Sequence, residues 1–227
     1  MKLTAPMKMQ LNCALCLVPL LAALTGAEMV NLTKEAEEFV KKQNTTGKID
    51  GWGLSRYYEY WTQHTQTIEG YAIFATTNSL ECVPEDSEDG LQIGTSTRSC
   101  LEEFGLFIMD GMTSPFNIYT EVDFPLLGRA WAGTKYAVKV DLNNQSKLFK
   151  TIRDVPNKRP QQRACKFETK VTFQGNFAYH MAGDKIEDDL YVSVQVGALQ
   201  NQLKKLYNEE GRLVYNITGY YNEQVCV

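Results

Sequence analysis

The sequence predicts a mainly β fold: a single antiparallel β-barrel or β-sandwich domain with one or two short helices. Three observations lead there. Stretches rich in Val, Ile, Thr, Tyr and Phe, bounded by Gly, Asn, Asp or Pro, follow one another from residue 70 to residue 221. Two of them alternate cleanly. Leu190, Val192, Val194 and Val196 oppose Tyr191, Ser193 and Gln195, and Phe167, Val171 and Phe173 oppose Lys166, Glu168 and Lys170. Such alternation marks antiparallel sheet with one face on a core and one in water. The 227 residues hold no internal repeat and no low-complexity linker, so one domain accounts for them.

The elements follow in chain order. Lys2 and Lys8 precede an apolar run from Leu11 to Leu24, and small residues follow at Thr25, Gly26 and Ala27. This is the layout of a secretory signal peptide over residues 1–27, with cleavage near Ala27–Glu28. It places the β-rich domain, 28–227, outside the cell. The run is shorter than the about 20 apolar residues of a membrane helix. No later stretch is apolar enough to span a bilayer, and the C-terminus has no tail for a lipid anchor.

TKEAEEFVKKQ (33–43) reads as a short helix, with acids early, lysines late and Gly47 beyond its end. DGWGLSRYYEYWTQHT (50–65) is dense in aromatics, and helical spacing puts Tyr57, Tyr60, Trp61 and His64 on one face. That face either closes the end of the core, or Trp52, Tyr57 and Trp61 form part of a ligand mouth or surface contact. The candidate strands are 70–78, 103–112, 116–124, 135–142, 147–155, 165–173, 189–196 and 212–221, and NQLKKLYNEEG (201–211) interrupts them as a second short helix.

Cys82, Cys100, Cys165 and Cys226 remain after the signal, an even number in an oxidising compartment, and imply two disulfides. Cys82 ends one strand and Cys100 begins the next, so adjacent antiparallel ends predict Cys82–Cys100 and leave Cys165–Cys226. Four glycosylation sequons stand at Asn31, Asn44, Asn144 and Asn216. Strand alternation turns Asn216 away from the row of Leu213, Tyr215 and Ile217. The net charge is −4, and loss of Lys2 and Lys8 makes the domain more acidic. That excludes a general electrostatic attraction for nucleic acid.

Catalytic chemistry is hard to assemble. His64 and His180 are the whole histidine supply, and no G-x-S-x-G or H-E-x-x-H is present. No catalytic residue, metal or cofactor is expected. EDSEDG (85–90) lacks the bidentate Glu of an EF-hand loop. NKRPQQR (157–163) reads as a basic turn carrying Lys158, Arg159 and Arg163.

GWGLSRYYEYWTQHTQTIEGYAIFATTN, behind KEAEEFVKKQNTTG, resembles the glycosylated salivary-gland immunosuppressant family of hard ticks. The likeness extends to the layout of signal, sequons, four cysteines and a C-terminal CV. The resemblance implies a saliva-delivered glycoprotein that binds a host immune-cell protein and suppresses lymphocyte responses without catalysis. The alternative is a lipocalin-type scavenger of a small amine or lipid. Its Gly-x-Trp signature has only Gly51-Trp52-Gly53 as a partial match.

Overall fold

The computed structural model describes residues 28–62, 68–82, 91–95, 97–131, 135–144, 146–184 and 189–227. The predicted signal segment, His64 and the acidic run 85–90 lie outside the described residues.

The described chain opens with β1 (Glu28–Asn31) and α1 (Leu32–Gln43). Leu32, Ala36 and Val40 recur at helical spacing and are buried, which fixes the face α1 turns inward. Its N-cap is Asn31, whose Oδ1 accepts the Lys34 N–H at 3.0 Å. β2 (Ile49–Gly53), α2 (Glu59–Thr62), β3 (Phe74–Thr77), β4 (Glu81–Cys82) and β5 (Leu91–Ile93) are all short. Next come β6 (Thr97–Thr113), β7 (Tyr119–Asp123), α3 (Pro125–Trp131), β8 (Ala137–Asp141) and β9 (Lys147–Lys158). The chain closes with β10 (Pro160–Gln174), β11 (Asn176–Met181), β12 (Leu190–Gln195), β13 (Tyr207–Glu209) and β14 (Arg212–Cys226).

The molecule is mainly β, with few short helices, and its sheets are not closed into a barrel. β14 is the spine of a nine-stranded sheet, antiparallel to β6 on one side and to β10 on the other. β9 and β1 in turn flank β6, and β3, β4 and β5 share the far edge of β10. A three-stranded sheet runs β12-β11-β2, and β7 pairs with β8 alone. Alternation decides which side is dry. Leu213, Tyr215, Ile217, Tyr221 and Val225 on β14 and Phe167, Val171 and Phe173 on β10 are all buried. Phe104, Leu106 and Ile108 on β6 complete this inner face. Gly219 lies where the β14–β6 register slips, and a Cβ there would collide with the Phe107 carbonyl.

Four expectations change. Residues 201–211 do not form one helix. A single 3₁₀ turn at Gln202–Lys204 ends at Lys205 in the left-handed region (φ 57°), and β13 follows. The basic segment is not a loop: β9 runs to Lys158, β10 starts at Pro160, and Arg159 exchanges backbone hydrogen bonds with Val227. The disulfide joins Cys100 to Cys226, not Cys82 to Cys100, so Cys165–Cys226 falls as well. The reason is topological. β6 and β14 are antiparallel neighbours, which brings the start of one to the end of the other, whereas β4 lies beyond β10. The Cys82 backbone faces Phe167, and Cys165 is itself disulfide-bonded. Finally, β11 (NFAYHM) was not foreseen.

Candidate functional site

β6 and β9 form a long hairpin, paired from Thr97↔Lys158 to Phe107↔Lys147 with one register shift between Glu102 and Glu103. The segment joining them does not make a simple turn. It carries a second hairpin, β7–β8, folded back over the sheet. The fold-back is pinned at its base. The Ser114 N–H donates to Asn143 Oδ1 at 2.7 Å, the Asn143 side-chain amide donates to the Ser114 carbonyl at 2.8 Å, and the Asn144 N–H donates to the Met112 carbonyl at 3.1 Å. Asn144 takes a left-handed φ of 58°, which an Asn tolerates.

The two faces of this hairpin differ. Ile118, Thr120, Val122 and Phe124 are buried on one strand, and Val140 and Leu142 on the other, with Tyr136 and Val138 half-buried. Asn117, Tyr119, Glu121, Asp123, Lys135, Ala137 and Lys139 are exposed. Lys135 lies 3.3 Å from Glu121 and 3.1 Å from Asp123, and the Lys139 ammonium sits 4.3 Å from the centre of the Tyr119 ring. The dry face packs on the inner face of the main sheet. The Phe124 ring is 4.5 Å from Phe104 and 5.4 Å from Tyr221, and the Phe116 ring is 6.1 Å from Phe173.

Two buried carboxylates hold the tip, α3. From β14, Glu223 Oε2 accepts the N–H groups of Leu126 at 3.0 Å and Leu127 at 3.2 Å, two of the free donors that open a helix. From β6, Glu102 accepts the Trp131 indole N–H at 2.8 Å, pairs with Arg153, and takes the Cys226 N–H at 3.3 Å. Both carboxylate side chains are 0% exposed. Their acidities diverge. Burial raises the Glu223 pKa, against the opposing pull of the Leu127 and Leu126 N–H groups and Arg163. Burial also acts on Glu102, but hydrogen bonds from Arg153, Trp131 and Cys226 outweigh it and hold its pKa below the usual value. Sequence reading passed over both glutamates. The available signal was alternation: Glu223 shares the row of Tyr221 and Val225, and Glu102 that of Phe104.

The aromatic stretch is divided rather than gathered. Trp52 lies in β2 opposite Tyr179 and lines a cleft with Leu54, Tyr57, Tyr58 and Pro115. Trp61 is not among that cleft's lining residues; it packs edge-on against Tyr60 at 4.7 Å. Among the described residues of this stretch, Glu59–Thr62 is helical, Tyr60 is buried, and Tyr57 stands 75% exposed beneath the Arg56 guanidinium. His180 is taken up by Asp50, its Nδ1 lying 2.5 Å from Oδ1. Among the sequons, Asn31, Asn144 and Asn216 are exposed, Asn216 on the outer face as alternation required. Asn44 is half-buried and bonds both polar groups of Ile49 through its side chain. The described residues contain no cluster of His, Cys, Asp and Glu able to hold a metal ion.

No protein-family model matches this chain. No curated protein is similar to it either. Among solved structures it is similar to a non-toxic crystal protein from Bacillus thuringiensis, at 13% identity over 88% of this chain and 94% of that one, with a TM-score of 0.46. It is similar to a chain of the Cry23Aa1 and Cry37Aa1 binary protein complex at 10% identity over 88% and 86%, TM-score 0.46. The Mpp75Aa1.1 β-pore-forming protein of Brevibacillus laterosporus aligns over 70% and 66% at 10% identity, TM-score 0.32.

Proposed function

We propose that this protein is secreted and acts on target-cell membranes by binding and strand insertion, not by turnover. The carrying observation is the fold-back. β7 and β8 continue the β6–β9 hairpin, and among the described residues their dry face is covered chiefly by side chains of the sheet beneath, with Thr120 donating to the Asn78 carbonyl. Swung out, Phe116–Phe124 and Tyr136–Asn144 would lengthen β6 and β9 by about nine residues each, the span of a bilayer-crossing strand. The alternation suits that medium: Phe116, Ile118, Val122 and Phe124 with Tyr136, Val138, Val140 and Leu142 would meet lipid. The polar row, with Lys135 ion-paired to Glu121 and Asp123 and with Lys139 over Tyr119, would face a water-filled lumen. A lone hairpin leaves unpaired edges in lipid, so several copies must close a barrel.

None of the helices among the described residues is long and apolar enough to cross a membrane, and strand insertion needs none. The likeness to salivary immunosuppressants names the cell to test. A sublytic lesion in lymphocytes would suppress their responses, so the two readings share a target. The lipocalin-type alternative needs a barrel closed around its ligand, and these sheets are not closed into one.

The test is a cysteine scan of 136–142 with an environment-sensitive dye, on liposomes and on lymphocytes. Dyes at 136, 138, 140 and 142 should gain lipid-like emission while those at 137, 139 and 141 stay aqueous, with parallel release of an entrapped dye. Uniform emission along the strand, with no release at saturating protein, would remove the proposal.

A further inference from the structure

We infer that Glu223 is a buried charge that spring-loads the docked hairpin: ionised, it favours release of the tip, and protonated, it holds the tip down. This rests on the insertion reading above and assigns its regulation to one side chain of the central strand.

The geometry is that of a half-satisfied carboxylate. Oε2 is used by the Leu126 and Leu127 N–H groups. Oε1 is buried without a hydrogen bond of ordinary length among the described residues, and the Arg163 guanidinium pairs with it at 3.7 Å, which offsets its charge only in part. A buried ionised group with incomplete pairing costs more than its contacts return. Lifting α3 off the sheet opens this site to water and relieves that cost. A neutral carboxylic acid loses little of its acceptor role at Oε2 and removes a buried charge that Arg163 offsets only in part.

The charged and titratable groups around Glu223 are Arg163 on β10, Tyr221 on β14, Glu102 on β6 and Asp123 at the end of β7; Arg129 of α3 is exposed. The docked state has the higher Glu223 pKa, so it binds the proton better than the released state. Docking therefore tightens as pH falls from neutral towards the ordinary carboxylate range, and weakens as pH rises through the raised value. Glu102 has the opposite sign and acts lower: its lowered pKa weakens docking only in stronger acid. Together they make the tip most firmly held between the lowered Glu102 value and the raised Glu223 value, and readier to leave above the latter.

The experiment compares the full chain with Glu223→Gln, which is neutral at every pH and keeps an acceptor for the two N–H groups. Amide exchange at Leu126 and Leu127, corrected for intrinsic rates, should show wild-type protection about tenfold higher at pH 5.5 than at pH 7.5. E223Q should hold the higher protection at both, and should release dye from liposomes at least tenfold more slowly at pH 7.5. Protection in E223Q equal to or below wild type at pH 7.5, in a variant whose circular dichroism and melting are native, would overturn the inference. If protection behaves as stated but neither protein releases dye, the insertion reading fails and the spring stands.

Discussion

At the scale of single residues, the informative side chains are those that break the apolar rows of the inner face. Glu102 lies between Cys100 and Phe104 on β6, both buried, and yet is fully enclosed. It is enclosed because it is saturated: the indole of Trp131, the guanidinium of Arg153 and the Cys226 N–H converge on it. Glu102→Gln should therefore lower stability at neutral pH by about 1.5–3 kcal/mol, the range for hydrogen bonds to a charged partner, and nearer the lower end because Arg153 is half exposed. Its depressed pKa fixes the pH dependence. The contribution is complete above the ordinary carboxylate value and disappears as pH falls through the lowered one. The melting temperatures of wild type and variant, followed from about pH 7 to about pH 3, should converge in acid. Curves that stay parallel would show that Glu102 is not held ionised by these partners.

At the scale of elements, strands announced themselves and their arrangement did not. Alternation is a local property, so β10, β12 and β14 were legible from residues such as Phe167, Val194 and Ile217 alone. β11 was missed because NFAYHM is short and its middle, Phe177, Ala178 and Tyr179, is enclosed on both faces, so only Asn176 and His180 mark a polar row. The helix expected at 201–211 was lost to Lys205, whose left-handed turn lets Leu206 pair back to Asn201 before β13 begins. The cysteines show the same limit. Sequence proximity favoured Cys82–Cys100, but strand order decides which ends meet, and β14 inserts between β6 and β10. Cys100–Cys226 closes a loop with a sequence separation of 126. On the chain-entropy argument, replacing both cysteines by serine should cost about 4–5 kcal/mol. Denaturant titration measures this, and non-reducing peptide mapping should recover the Cys100–Cys226 peptide; a Cys82–Cys100 peptide would refute the topology.

At the scale of the whole molecule, two kinds of attachment divide the chain. The slab of β9, β6, β14 and β10 is joined by continuous backbone ladders, fourteen residue pairs between β10 and β14 alone, in addition to the disulfide. β7 and β8 pair only with each other. Among the described residues, the backbone link from this hairpin to the slab is at its base, from Asn144 to Met112; elsewhere it is held by ring contacts, Thr120 and the two glutamates. The candidate site was illegible in the sequence for this reason. Residues 116–124 and 135–142 read as ordinary sheet strands, and nothing local says that they join each other rather than the slab. Elements held by side chains alone open at lower free energy than elements within a ladder. Trypsin in sub-denaturing urea should therefore nick the exposed Arg129 and the Lys135–Lys139 stretch first. β10 and β14 should stay uncut until global unfolding, although Arg163 and Lys170 lie within β10. Early cuts should fall at the rate of tip opening and slow in E223Q at pH 7.5. Simultaneous loss of hairpin and slab would mean that the two open as one body, and would leave insertion without a detachable element.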